Sequence, residues 1–152
     1  MYNSKSNFIN RNNFNRSGNK VQEPRKADEE FFNKINENYA DEAEKVIQDL
    51  QEKMLSVSSI RNILELINNV RERMVFEKES ISKSLQNEIQ YIRVKVSYMY
   101  GRGDSAIKNF IDKSKIMELV LCIGDNKNKF EIFAKYVEAL VAFHKFYGGK
   151  DN

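Results

Sequence analysis

FEIFAKYVEALVAFHKFYGGK, residues 130–150, is the stretch on which the fold turns. Phe130, Phe133, Val137, Leu140 and Val141 recur at steps of three and four, which puts them on one helical stripe. Ile132, Tyr136, Ala139, Ala142, Phe143, Phe146 and Tyr147 fill much of the other side. A helix apolar nearly all round is either central in its domain or covered by a partner. Lys129, Lys135, Glu138 and Lys145 break the run too often for a membrane span. Gly148-Gly149 then ends the helix, because glycine adopts the left-handed C-terminal conformation without steric cost.

Outward from this helix, the same period recurs. The reading predicts a first helix over Tyr39–Met54, with Asn38 as N-cap and Ala43, Val46, Ile47, Leu50 and Met54 inward. Ser56 caps a second, from Val57 to about Lys78, whose stripe is Ile60, Ile63, Leu64, Ile67, Val70 and Met74. A third starts at Ser80 or Ser82 and ends near Tyr100. Its Ile81, Leu85, Ile89, Ile92, Val96 and Met99 make a two-in-seven seam suited to helix-on-helix packing. Gly101 and Gly103 stop it. Asp104 or Ser105 caps a fourth helix to about Ile123, and Gly124-Asp125-Asn126 turns into the last. The expected fold is all-α, a five-helix bundle preceded by a disordered N-terminal arm.

The composition agrees. Six glycines and one proline in 152 residues supply little turn material, which disfavours a β-sandwich. The lone Cys122, in the apolar run MELVLCI, reads as a buried thiol in a reduced compartment. The start, MYNSKSNFIN, lacks the apolar core of a signal peptide, so a cytoplasmic location is expected. The net charge of +3 is uneven: residues 1–27 hold six basic residues against one acid, and the remainder holds 19 against 21. Asn fills seven of the first twenty positions, and residues 1–37 read as a disordered basic arm in which DEEFFNKIN, residues 28–36, offers a short helical lead-in, with the helical domain at 38–152. A polyanion bound by the folded part would therefore meet a local patch rather than a global field.

Catalytic chemistry finds little to stand on. One His and one Cys cannot build a Cys/His metal cluster. The acids alternate with Lys and Arg on polar helix faces, the pattern of solvated surface. GRGD at 101–104 follows a helix rather than a strand and lacks the longer phosphate-loop pattern. His144 reads as a packed histidine, with an RNA or subunit contact as its alternative. The basic residues gather more tellingly. YIRVK and YMYGR, at 91–95 and 98–102, put Arg93, Lys95 and Arg102 among three tyrosines. Arg61 stands near the start of the second helix, where free backbone N–H groups also favour anions. Helix-borne guanidinium groups beside tyrosines suit a phosphate backbone. Lys145 and Lys150 flank the final FYGG.

Four segments, in order, resemble a known family. They are NYADEAEKVIQDLQ (38–51), LSVSSIRNILELI (55–67), IQYIRVKVSYMYGRG (89–103) and YVEALVAFHKFYGGKD (136–151). Together they are similar to the small subunit of the type III-A (Csm) CRISPR interference complex. The resemblance implies a non-catalytic protein without cofactor or metal. Several copies would stack head-to-tail along a guide RNA–target RNA duplex, beside the other subunits of the effector complex. It also implies that Arg61, Arg93, Arg102, Lys145 and Lys150 contact the target-strand backbone, and makes Tyr136, Phe143 and Tyr147 candidates for the subunit interface. A helical protein-interaction adaptor with no RNA contact is the alternative. The apolar excess of the last helix supports it equally.

Overall fold

The computed structural model describes residues 21–50 and 56–148, and these contain six helical segments. Residues 1–20, 51–55 and 149–152 lie outside that description, and with them Met54, Lys150 and most of the expected arm. All five expected helices are present, one of them in two pieces: α1 Glu29–Asp49, α2 Val57–Met74, α3 Lys83–Arg102, α4 Ser105–Ser114, α5 Ile116–Ile123 and α6 Lys127–Phe146.

α1 begins ten residues before the expected Tyr39. Asp28 caps it, its carboxylate accepting the Phe31 N–H at 2.9 Å. Its first turns bury Phe32 and Ile35 in the core. Asn38 interrupts the helix with φ −154° and ψ 73°, and its side-chain oxygen accepts from the Asp41 N–H at 3.3 Å. The capping chemistry expected of Asn38 is thus present, but inside a kinked helix rather than at its start. The expected boundary between arm and domain at 37/38 falls on this kink. The Lys115 ammonium pairs with the Asp28 carboxylate and lies 5.4 Å from the Phe31 ring centre. The bond from Lys115, then that from Phe31 N–H, holds the Asp28 carboxyl below the usual carboxylate range. A depressed folded pKa contributes stability at neutral pH that is lost as pH falls through that pKa. Asparagine still caps α1, so urea denaturation of an Asp28→Asn variant is expected to show only the loss of the partly exposed pair with Lys115, about 0.5 kcal/mol at pH 7. The gap to the parent should narrow below about pH 4.

α2 and α3 bury most of their expected seams: Ile60, Ile63, Ile67, Val70 and Met74 from α2, and Leu85, Ile89, Ile92 and Val96 from α3, with Ile81 buried just ahead of α3, while Leu64 and Met99 are part-buried. They run antiparallel, since Arg73 pairs with Glu88 while Ser59 and Asn62 line a groove with Tyr98 and Arg102. α2 stops at Met74, leaving Val75 and Phe76 75% and 88% exposed.

The expected fourth helix breaks at Lys115, whose φ of 56° is left-handed. The break leaves the last carbonyls of α4 without helical partners. The buried Tyr136 hydroxyl donates to that of Ser114 at 2.8 Å. Gly103 joins α3 to α4 because the space allows nothing larger. A Cβ there would lie 2.6 Å from the Met99 carbonyl oxygen and 2.9 Å from Ile107 Cβ. Gly103→Ala is expected to force α4 away from α3 and to cost about 1–3 kcal/mol, read as a fall in thermal midpoint.

α6 is the central element. It packs on α1, α2 and α5, and buries Phe130, Phe133, Ala134, Tyr136, Val137, Ala139, Leu140 and His144. Of the two readings of an all-round apolar helix, the first is the observed one. α6 lies parallel to α1, with Lys129 against Glu29 at one end and Tyr147 against Glu44 at the other. It runs antiparallel to α2, whose Arg71 meets both Glu131 and Glu138.

Candidate nucleic-acid interface

At a 100° step per residue, Tyr91, Val94, Lys95, Tyr98 and Arg102 fall on one side of α3, opposite its buried seam. The three uncharged members are 49%, 56% and 64% exposed, unusual for such side chains. Each aromatic carries a cation. Lys95 Nζ stands 5.3 Å from the Tyr91 ring centre, and the Arg102 guanidinium stands 5.5 Å from that of Tyr98. The i, i+4 spacing produces both pairs, and the aromatic faces hold the cations in place on an open surface.

The stripe ends in an open groove of about 520 Å³ formed where α2 starts, α3 ends and α4 begins. Ser59 and Asn62 line it from α2, Tyr98, Met99 and Arg102 from α3, and Gly103, Asp104 and Ile107 from the junction. Arg61, one residue before Asn62, is exposed but does not line the groove. The Ser56 side chain makes no cap bond to the α2 backbone, so the helix leaves its own first N–H groups to other acceptors. α4 differs: the Asp104 carboxylate accepts from Ala106 N–H and Ile107 N–H at 3.1 Å each. An anion in the groove is therefore met by Arg102, Asn62 and Ser59 rather than by the α4 terminus.

The structure brings some of the expected residues together and separates others. Arg61 near the start of α2, Arg102 at the end of α3 and Lys145 near the end of α6 are all exposed at one end of the bundle, and of the three Arg102 lines the groove while Arg61 does not. Arg93 does not join them. Nine residues from Arg102, it sits about 180° around α3, half-buried on the flank that carries Ser97 and Tyr100. Tyr100, grouped with the basic cluster in sequence, likewise faces away and donates to Asp112 at 3.1 Å.

The three aromatic residues named for subunit contact fare differently. Tyr136 is fully buried, so its place at an interface is corrected: its hydroxyl serves Ser114, and Phe31 packs edge-on to its ring at 5.9 Å. Phe143 and Tyr147 are part-buried against the core. The Tyr147 hydroxyl is tied to α1, donating to Glu44 at 2.6 Å and accepting from Gln48 at 3.0 Å.

Lys95 is not among the residues that the resemblance implies, and its four-residue offset from Tyr91 is what brings it onto the exposed face. Arg25 had no local signal at all, since its partners are Asp112 and Glu118, 87 and 93 residues away. Burial pushes the Cys122 thiol up to about 11, so it is a core residue and not a nucleophile at neutral pH. Among the described residues, no three His, Cys, Asp or Glu side chains are placed to hold a metal ion. No helix among them is long and apolar enough to cross a membrane.

Comparison with known proteins supplies the family. Residues 33–150 match the family model described as Csm2 Type III-A. The CRISPR system Cms protein Csm2 of Streptococcus thermophilus is 39% identical over 120 residues, covering 76% of this chain and 95% of that protein. The protein of the same name from Enterococcus italicus is 38% identical over 96 residues, 61% of this chain and 68% of its own. That from Mycobacterium tuberculosis is 32% identical over 123 residues, covering 78% and 98%. The all-α bundle with its central last helix, the matched span and these relatives agree: the chain belongs to the Csm2 family, the small subunit of the type III-A CRISPR complex.

Proposed function

We propose that this chain is a non-catalytic structural subunit that stacks in several copies along the guide–target RNA duplex and contacts the target-strand backbone without reading bases. The observation that carries the RNA contact is the outward stripe of α3. It presents Lys95 and Arg102 on tyrosine faces and leads to a groove bordered by Ser59 and Asn62. Fixed cations with tyrosine and amide donors match a phosphate backbone. Sequence information would come from the guide, leaving charge and shape to the protein.

Stacking in copies draws support from the ends of the bundle. Val75 and Phe76 protrude where α2 ends, and Phe146 is 78% exposed near the opposite end of α6. Apolar side chains at both ends suit a head-to-tail contact between identical subunits. They equally suit a helical adaptor that meets only protein, which is the second reading. Other subunits of the complex would hold the nuclease activities, and a cytoplasmic location follows from an assembly on RNA.

Photocrosslinking of the assembled complex to target RNA, followed by mass spectrometry of the adducts, separates the two readings. Adducts on the peptides spanning Tyr91–Arg102 are expected. Adducts confined to other subunits would leave the adaptor reading standing. For the stacking contact, Phe76→Asp is expected to leave the isolated chain folded while lowering the number of copies per complex in native mass spectrometry. An unchanged copy number would remove Phe76 from the contact.

A further inference from the structure

The side of the α2–α3 pair that carries the exposed stripe holds two grooves, and the second repeats the first. The groove at the α4 junction is lined by Ser59 and Asn62 of α2 and by Tyr98 and Met99 of α3. The other, about 350 Å³, is lined by Leu66 and Asn69 of α2 and by Tyr91 and Ile92 of α3, with Val70, Asn87 and Glu88 completing it. Each of the four positions has moved by seven residues, forward on α2 and back on α3. In an antiparallel pair that is one shift of about 10.5 Å along the seam. The cations move with it: Arg102 stands on the Tyr98 ring, and Lys95, seven residues earlier, stands on the Tyr91 ring. The chain thus presents an amide, a tyrosine and a cation twice, in the same order.

The lining decides what such a site takes. Val70 and Ile92 of the second groove are buried, so its floor is apolar and gains from a flat apolar partner. Asn69 and Asn87 stand exposed at its walls, and an amide offers both a donor and an acceptor. Each groove also carries a carboxylate that is already engaged. Glu88 pairs with Arg73, and Asp104 accepts from Ala106 N–H and Ile107 N–H. A phosphate deep in either groove would meet that negative charge, and in the second it would lose its water over an apolar floor. An uncharged heterocycle with an apolar face and a polar edge meets neither penalty. The Tyr91 and Tyr98 rings stay 49% and 64% exposed with their cations in place, which leaves aromatic surface for stacking. The cation at each rim is then left for the phosphate of the same nucleotide.

We propose that the two grooves are nucleobase sites. Each receives one unpaired base of the bound RNA strand, stacked against Tyr91 or Tyr98 and bonded along its edge by Asn69 or Asn62, while Lys95 or Arg102 holds the adjoining phosphate. The inference rests on the RNA reading above and deepens it. A base inside a duplex turns its faces to its neighbours, so only bases freed from pairing enter. Every base has a flat face and a polar edge, and the amide meets donor and acceptor alike, so entry is independent of sequence.

The test compares two probes on the full-length chain at one salt concentration. One is an oligouridylate, whose bases stack little on one another; the other is a ribose-phosphate strand of the same length without bases. Fluorescence anisotropy gives the ratio of the two affinities. The parent is expected to bind the oligouridylate about tenfold more tightly, within what stacking on an aromatic side chain supplies per base. Tyr91→Leu/Tyr98→Leu keeps apolar side chains on the same face but removes the rings, and should bring the ratio to about one, each single variant removing part of it. Any change at Lys95 and Arg102 that the lost rings cause acts on both probes alike and drops out of the ratio. Should the tyrosine pair disturb the fold, Asn62→Ala/Asn69→Ala, at two exposed helix positions, is expected to lower the same ratio severalfold. Equal affinities of the parent for the two probes overturn the inference and leave the backbone reading standing. A ratio that survives both variants places the bases elsewhere and removes them from the grooves. Failure of the RNA reading looks different: Lys95→Ala/Arg102→Ala then leaves the binding of both probes unchanged, and the inference falls with it.

Discussion

Tyr136→Ala is expected to lower the stability of this protein by about 3–5 kcal/mol, the range for removing a large buried aromatic side chain. Domain stabilities run to only about 5–15 kcal/mol, so the variant should lie near the edge of folding at 37 °C. Two losses combine. The ring is fully buried on the central helix and meets Phe31 edge-on, and its removal leaves a cavity between α6 and α1. The hydroxyl donates to the Ser114 carbonyl, which the break at Lys115 places at the end of α4. Tyr136→Phe separates the two. It keeps the ring and strands a buried carbonyl, which costs about 1–3 kcal/mol. Urea titrations of both variants check the prediction. A Tyr136→Phe variant as stable as the parent would mean that Ser114 is satisfied in some other way. A Tyr136→Ala variant that folded normally but failed to assemble would return the residue to the subunit interface.

Arg61→Ala/Arg102→Ala is expected to weaken binding of single-stranded RNA by roughly a hundredfold at low salt. Hydrogen bonds to charged groups are worth about 1.5–3 kcal/mol each, and about 1.4 kcal/mol corresponds to tenfold. The salt slope should fall by about 1.4 for the two lost contacts. Arg93→Ala provides the internal comparison, since Arg93 lies on the far flank of α3. Its effect should be small unless the RNA also passes over the Tyr100 side. Lys95→Ala should fall between the two, losing one cation held on Tyr91. Binding measured by fluorescence anisotropy between about 50 and 200 mM salt distinguishes these patterns. A double variant that bound like the parent would exclude the groove as the contact.

The parts of the molecule that sequence disclosed are those governed by neighbours three and four residues away. Most of the seams of α2 and α3 emerge as read, because a side chain that must face the core does so at the helical period whatever it packs on. The sequence offered Ser80 or Ser82 and Asp104 or Ser105 as caps, and Ser82 and Asp104 are the ones that accept an N–H two or three residues ahead; Asn126, read as part of a turn, also caps α6. The angular separation of Arg93 from Arg102 follows from counting nine residues around a helix. Proximity in sequence groups the two arginines, whereas the helical period places them on opposite sides of α3.

Other features depended on residues far away. Phe32 and Ile35 offer only one turn of apolar spacing, too little to distinguish a helix from a polar arm. They become helix because α5 and α6 provide a surface for them. Lys115 carries neither the glycine nor the proline that marks a break. Its left-handed backbone is held by Asp28, 87 residues earlier, and by the Phe31 ring. Tyr136 was misplaced because an aromatic residue off the main stripe looks the same whether a partner or the chain's own N-terminal helix covers it.

By itself, then, the sequence determined an all-α protein, most of the inward seams of α2 and α3, a residue set too small for a one-chain Cys/His metal cluster, and a family resemblance that the comparisons bear out. Only the tertiary structure decided that α6 is the centre rather than an interface, that Tyr136 lies inside, and that Lys95 and Arg102 share an open face while Arg93 turns away from it. It also disclosed that Arg25 joins three helices. The physical reason is range. Helical periodicity and capping are set within one or two turns, whereas the side that is covered, and the cation that remains on the surface, depend on which distant element folds over it.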